Sequence, residues 1–389
     1  MIACNLWAAI ANEGYTLHCE SSESNGLVFA QLTEYRTQGQ SFPDGWALMF
    51  YEESYLSPDG QLVRSAVPTS ESFSLFDSTV STMMLPANNV NLAVGHLRVG
   101  TSGALGIPDP HPFLYGHNGT TYSLVHNGTL SKDVLLSLLT EDNTDSLWIS
   151  NHAPNTYGNG HWSGEGWEFV VDSELYFLWI MKNIEELEYN VVAGLTQALS
   201  TLNTYIPGCS EKTIIFSDGS SLYLYGAANN LNYTDGATAL EAPYADILLH
   251  HKAVMTVPPT EGIASYMSWV SIEDNQLVVL TDGDVATSMV EALPSSGSPI
   301  LPNTINLYQN YPNPFNPTTT IQYELWQETV VKLVIYDLAG REVSVLLDGK
   351  QQPGLKNIKW NASSFAGGIY IFRLETPSDR VSGKMVLLK

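Results

Sequence analysis

Cys4 is the residue whose type and position most directly suggest chemistry. A cysteine brought to a chain terminus has its own α-amine beside its thiol, with an unperturbed pKa of roughly 7.7–8.0. That amine can serve as the general base, so no separate histidine is required. The thiolate would attack an amide carbonyl and form a thioester acyl-enzyme. The other cysteines, Cys19 and Cys209, make neither a disulfide framework nor a CxxC metal pair, and a bond between these two is left open. The nine histidines show no HExxH spacing, and His250-His251 reads as a strand pair. The sequence therefore implies no metal and no cofactor, and it carries neither a Walker loop nor a dinucleotide fingerprint.

The elements around such a nucleophile follow from periodicity. Residues 27–32 and 45–51 read as strands bounded by turn residues, as do 91–97 and 122–126. A helix is expected to start at Ser131 as N-cap, with Val134, Leu135 and Leu138 on one face. A second should follow Asp172-Ser173, and a third should cover about 190–203. Strands return at 213–217 and 221–226, joined by Asp218-Gly219-Ser220, and again near 246–257 and 277–281. Strands, then helices, then strands suggest sheets stacked between helical layers. Residues 286–304 contain PSSGSP and few charges and read as linker. From residue 311 the texture becomes short strands at 319–325, 330–336, 355–360, 369–375 and 382–388, the pattern of a small β-sandwich.

Five segments, in order, resemble the class II glutamine amidotransferases, especially their stand-alone members. They are Cys4-Asn5-Leu6-Trp7, Pro43-Asp44-Gly45-Trp46-Ala47-Leu48, the run from Gly95-His96-Leu97-Arg98 to Gly103, Val125-His126-Asn127-Gly128-Thr129, and Val171-Asp172-Ser173-Glu174. The resemblance spans roughly residues 4–285. It implies a four-layer αββα N-terminal-nucleophile hydrolase fold. It also implies roles. Cys4 would be the nucleophile. The Asn127 side-chain amide and the Gly128 backbone N–H would form the oxyanion hole, where losing one donor typically costs about 2.7–4 kcal/mol. Arg98 would grip the substrate α-carboxylate with its planar fork, assisted by Thr101 and Ser102, and Asp172 would bind the α-ammonium. An Arg opposite an Asp specifies an α-amino-acid head, hence glutamine or a γ-glutamyl amide as the small-molecule substrate. Two rivals stand nearby. His117-Asn118-Gly119-Thr120 repeats the turn motif, but the later copy is preferred because a strand precedes it and a helix follows. Asp145 competes with Asp172, which is favoured by the helix after it. The polar stretch 141–171 reads as a lid or as a surface loop.

Residues 311–389 resemble the type IX secretion C-terminal sorting domain through Tyr311-Pro-Asn-Pro-Phe-Asn-Pro-Thr318, the Tyr336–Arg341 turn, Gly367-Gly368-Ile369-Tyr370 and the ending Lys384–Lys389. This implies an immunoglobulin-like β-sandwich, the type IX secretion machinery as partner, and a secreted or cell-surface location. The expected organisation is an amidotransferase-like domain at 4–285, a linker at 286–310 and the sorting domain at 311–389.

The chain has 389 residues and a net charge of −24. Residues 305–389 hold nine Lys/Arg and seven Asp/Glu, so the seven basic and 33 acidic residues of 1–304 carry nearly all the imbalance. A domain this acidic repels phosphate backbones, which argues against a nucleic-acid partner. No apolar run reaches the roughly 18 residues of a membrane span. No signal peptide is visible ahead of Cys4, so freeing its amine requires removal of Met1-Ile2-Ala3, by a peptidase acting on a longer precursor or by self-processing. Lipidation of Cys4 would block the amine and abolish the chemistry. With no acceptor or synthase domain in the chain, the reading is a secreted cysteine amidohydrolase. The alternative is a catalytically silent surface binding protein that keeps the fold and never frees its cysteine.

Overall fold

Residues 5–11 are apolar at nearly every position, as suits a strand covered on both faces. They form β1 (Asn5–Ala11), buried throughout. The computed structural model describes the chain apart from residues 1–3, 19–21, 53–60, 101–110, 142–143, 157–162, 165, 207–210, 227–230, 236–249, 294–304, 326–328, 339, 353, 377–379 and 389. After β1 come β2 (Trp46–Glu52), β3 (Val63–Ser65), β4 (Val90–Leu97), β5 (Phe113–His117), β6 (Thr120–Asn127), β7 (Thr213–Ser217), β8 (Leu222–Tyr225), β9 (Asn232–Tyr233), β10 (His251–Met255), β11 (Val270–Ser271), β12 (Gln276–Leu280) and β13 (Val285–Met289). The helices are α1 (Ser22–Gln38), α2 (Phe73–Met83), α3 (Lys132–Leu139), α4 (Leu147–Asn151), α5 (Asp172–Glu186) and α6 (Val191–Tyr205).

Two antiparallel sheets organise this first unit, which runs from Met1 to Pro294. One has the order β11-β9-β10-β1-β4-β2-β3, the other β13-β12-β8-β7-β6-β5. The period-2 geometry of a strand sends alternate side chains to opposite faces. Leu6, Ala8 and Ile10 of β1 meet Val125 of β6, Ile215 of β7 and Leu224 of β8 between the sheets. Trp7, Ala9 and Ala11 face away and pack with Val28, Leu32 and Tyr35 of α1 and Phe76 and Val80 of α2. On the outer face of the second sheet, Leu124, Ile214 and Phe216 pack against α3, α5 and α6. Helix α5 is almost wholly buried from Asp172 to Ile184, so the acidic residues that open it are held inside the protein.

One expected strand is corrected. Residues 27–32 lie within α1, where Leu27, Val28, Gln31, Leu32 and Tyr35 are buried and Phe29 is exposed. That spacing is helical, and a short apolar run alone does not separate the two periods. Residues 285–289, at the start of the stretch expected as linker, pair with β12 as strand β13.

The second unit runs from Ser295 to Lys389. Its strands are β14 (Ile305–Leu307), β15 (Thr318–Leu325), β16 (Thr329–Asp337), β17 (Glu342–Gln351), β18 (Gly354–Asn361), β19 (Gly368–Glu375) and β20 (Arg380–Leu387). They form antiparallel sheets of order β14-β15-β18 and β17-β16-β19-β20 around one core containing Ile321, Tyr323, Leu333, Trp360, Phe372 and Met385.

Candidate functional site

The sheet register brings the first two site residues together. Asn5 of β1 lies opposite Leu97 of β4, so one step further along each antiparallel strand sets Cys4 beside Arg98. The Val99 N–H donates to Cys4 Sγ at 3.4 Å, and the thiol reaches the Val99 carbonyl at 3.5 Å. Arg98 is buried, and its N–H donates to the Gly45 carbonyl at 2.9 Å. Gly45 has a φ of 102°, and a Cβ there would fall 1.9 Å from the Ser65 carbonyl oxygen, so only glycine fits this turn.

The thiol is pushed up to about 11, chiefly because its neighbours strip away water. The Val99 hydrogen bond and the Arg98 charge act in the opposite direction, while Asp172 and Asp44 push it further up. Arg98, Asp172 and Asp44 are therefore the charges close enough to be felt at the sulfur. Cys4 itself is half-buried. With residues 1–3 attached its nitrogen is a peptide nitrogen, and the amine base does not exist.

Asp172 opens α5, is 2% exposed, and accepts the Leu130 N–H at 2.7 Å. This bond ties the helix to the turn after β6, which carries Asn127 and Gly128. Asn127 is 2% exposed, and its side-chain Nδ2 has no hydrogen-bond partner among the described residues. A buried amide donor left unpaired is costly, and it is the state expected of a donor reserved for an oxyanion. Gly128 has a φ of 154°, and a Cβ there would lie 2.0 Å from the Glu211 carbonyl oxygen. The close passage of that backbone excludes any side chain.

The rivals sit differently. Asn118 and Gly119 have φ of 47° and 82° in the tight turn joining β5 and β6, with open space around Gly119, which makes the first HNGT copy a hairpin turn. Asp145 is exposed and accepts the Leu147 N–H at 2.8 Å at the start of α4. Thr101, Ser102, Cys19 and Cys209 lie outside the described residues. Described parts of 141–171 are anchored. Glu174 accepts the N–H groups of Asn155 and Thr156 at 2.8 and 2.9 Å and the Thr156 hydroxyl at 2.6 Å.

Residue-by-residue reading of the sequence missed three contributors, Asp44, His111 and Glu211, the last of which accepts the Thr129 N–H at 3.1 Å. Asp44, quoted only as part of a motif, accepts the Gly100 N–H at 2.7 Å and shapes the loop after Arg98. His111 stacks on His96 with ring centroids 4.1 Å apart and accepts the His126 N–H at 3.2 Å. Its isolated position beside Pro112 held no periodic signal.

Residues 13–149 match the class II glutamine amidotransferases, and residues 309–388 match the secretion system C-terminal sorting domain. The chain thus carries a class II glutamine amidotransferase-like domain followed by a secretion sorting domain. The first match includes Arg98, Asn127 and Gly128 and stops short of Cys4 and Asp172. Among solved structures, the chain is similar to the glutamine phosphoribosylpyrophosphate amidotransferase of B. subtilis complexed with ADP and GMP, at 12% identity and TM-score 0.44, covering 74% of this chain and 49% of that one. It thus spans about half the length of that enzyme. A glutamine aminotransferase class-II domain protein of Silicibacter pomeroyi aligns at 15% identity and TM-score 0.40, covering 74% and 100%. A predicted glutamine amidotransferase of Pseudomonas aeruginosa aligns at 16% and 0.35, covering 74% and 96%. No curated protein matches the chain.

The sorting domain marks the protein for secretion or attachment at the cell surface. Its proline-punctuated entry holds the final strand. Asn313 accepts the Val386 N–H at 2.9 Å and donates to the Lys384 carbonyl at 3.2 Å, and Phe315 pairs with Leu387. No helix among the described residues is long and apolar enough to cross a membrane.

Proposed function

We propose that the protein is a secreted cysteine amidohydrolase that cleaves the side-chain amide of glutamine or a γ-glutamyl compound once its leader has been removed up to Cys4. The freed amine takes the thiol proton, and the thiolate attacks the side-chain carbonyl. The Asn127 amide and Gly128 N–H receive the oxyanion. The amine then returns its proton to the leaving nitrogen, and water hydrolyses the thioester. Arg98 grips the substrate α-carboxylate and Asp172 its α-ammonium, with Thr101 and Ser102, three and four residues further along the chain, assisting. The reading is supported by the strand register that sets Cys4 beside Arg98, together with the opposite influence of the Arg98 and Asp172 charges on the Cys4 thiol. In this reading the first unit is a four-layer αββα N-terminal-nucleophile hydrolase domain, Val285–Met289 closes it, and the sorting domain is an immunoglobulin-like sandwich that engages the type IX machinery.

One observation favours the silent binding protein: in the uncut chain the thiol is raised to about 11 and lacks its base. Both readings are separated by a panel of γ-glutamyl substrates, with L-glutamine among them, assayed against the Cys4-terminated protein and its Cys4→Ala variant. The amidohydrolase reading expects turnover by the first only. Equal turnover by both rejects Cys4 as nucleophile, and turnover by neither leaves the binding protein.

A further inference from the structure

Three buried imidazoles run in a column through the interior of the amidotransferase-like domain. His96 of β4 stacks on His111 at 4.1 Å with 12° between ring planes, and His111 lies 6.4 Å from His126 of β6 at 14°. All three are 5% exposed or less. The rings stack as parallel plates and do not converge on a point, and no metal-binding group of three such side chains exists among the described residues. The column needs another explanation.

The lowest ring supplies it. Both nitrogens of His126 are engaged, one at 2.7 Å from the Glu211 carbonyl and one at 2.8 Å from Ser173 Oγ. A carbonyl only accepts, so Nε2 carries the proton and donates. In the neutral ring Nδ1 then accepts the Ser173 hydroxyl proton. Burial disfavours the charged form and lowers the affinity of His126 for a second proton, which preserves this arrangement. The two partners occupy critical places. The Glu211 carbonyl oxygen lies 2.0 Å from where a Gly128 Cβ would stand, and the Glu211 Oε2 accepts the Thr129 N–H at 3.1 Å. Ser173 immediately follows Asp172 on α5.

We propose that His126 is a positioning residue whose ring fixes the Asn127-Gly128 turn and the Asp172 helix start in one mutual geometry, with His111 holding the His126 backbone from behind. The proposal rests on the amidohydrolase reading of the site and adds a division of labour. The Nε2 side, through Glu211, sets the oxyanion donors and so governs kcat. The Nδ1 side, through Ser173, sets the ammonium-binding carboxylate and so governs KM. Loss of one neutral hydrogen bond of this kind is worth roughly three- to tenfold, and misplacing a reacting group adds to that.

Two near-isosteric variants separate the two sides, since a glutamine amide falls near the Nε2 position and an asparagine amide near Nδ1. With γ-glutamyl-p-nitroanilide and the full Cys4-terminated chain, His126→Gln should raise KM about tenfold while kcat falls less than about threefold. His126→Asn should lower kcat about tenfold while KM moves less than about threefold. Identical changes in both variants, or none, overturn the proposal, whereas a wild type without turnover counts against the amidohydrolase reading instead. A second measurement needs no activity. The 15N spectrum of histidine-labelled full chain should show His126 as the Nε2-protonated neutral tautomer at neutral pH, and Ser173→Ala should shift the unprotonated Nδ1 resonance while leaving that tautomer in place, because the Glu211 carbonyl alone holds the proton on Nε2. A mixture already present in the wild type overturns the proposal, even where a variant fails to fold.

Discussion

Removing residues 1–3 should change the reactivity of the Cys4 thiol more than any substitution. In the uncut chain the thiol stands at about 11 against an ordinary value of 9.0. At pH 8 that leaves about one thiol in a thousand ionised, against about one in ten for an unperturbed thiol, a difference of roughly a hundredfold. Cys4 is half-buried and solvent screens part of the effect, so a hundredfold is an upper bound. The sign has a second consequence. A folded-state value above the unfolded one favours the folded state below about pH 9, and that contribution is lost as the pH rises towards 11. Cleavage ahead of Cys4 supplies an amine that accepts the thiol proton, and the ammonium then stabilises the thiolate. Iodoacetamide alkylation at pH 8, followed at Cys4 by peptide mapping, should be at least about tenfold slower in the uncut chain than in a free cysteine peptide. It should accelerate at least about tenfold after cleavage. An uncut chain that reacts as fast as the free peptide would refute the burial argument, and an unchanged rate on cleavage would refute the amine as base.

Other substitutions probe the remaining parts. Arg98→Lys keeps the charge and loses the planar fork, so KM for L-glutamine should rise about tenfold or more, as initial-rate kinetics will read. Asp172→Asn should raise the same KM comparably and also speed alkylation of Cys4, because the Asp172 charge disfavours the thiolate. Gly128→Ala places a Cβ 2.0 Å from the Glu211 carbonyl oxygen at a φ of 154°. It should cost about 2 kcal/mol or more in thermal unfolding and lower kcat, and a variant as stable and active as wild type would show that the turn can yield.

What was legible in the sequence was local. Ser131 capping α3, with its hydroxyl accepting the Val134 N–H, and the Asp218-Gly219-Ser220 turn between β7 and β8 depend on neighbours a few residues away. The pairing of Asn5 with Leu97 depends on a partner 92 residues along the chain, and no periodicity announces it. Segment 27–32 was misread because six apolar-rich residues fit either period, and only the burial of Tyr35 a turn later resolves it. β17 escaped because its apolar positions are interrupted by Asp348, Gly349 and Lys350, yet it pairs with β16 along its length. Within the site, Cys4 stood out by position. Asp44, His111 and Glu211 did not, because each acts through a backbone group or a ring face contributed by a distant segment.

The charge imbalance and the site belong to one arrangement. The first unit has seven basic residues against 33 acidic ones, and the structure occupies all seven. Arg36 pairs with Asp77, Arg64 donates to the Pro112 carbonyl, and Lys132 donates to the Trp167 carbonyl. Lys182, Lys212 and Lys252 are buried on oxygen acceptors, and Arg98 is buried beside Cys4. The outer surface therefore presents acid almost unopposed, while a cation is kept next to Cys4. If the substrate is glutamine, as proposed, its head is neutral overall and would approach such a surface without repulsion, its carboxylate meeting the buried Arg98 guanidinium only once inside. Glutamate, the product that the amidohydrolase reading implies, carries one more negative charge and would be disfavoured by the surface field and by the Asp172 and Asp44 charges. On the amidohydrolase reading, the same distribution would admit the amide and speed departure of the acid without changing the equilibrium of hydrolysis.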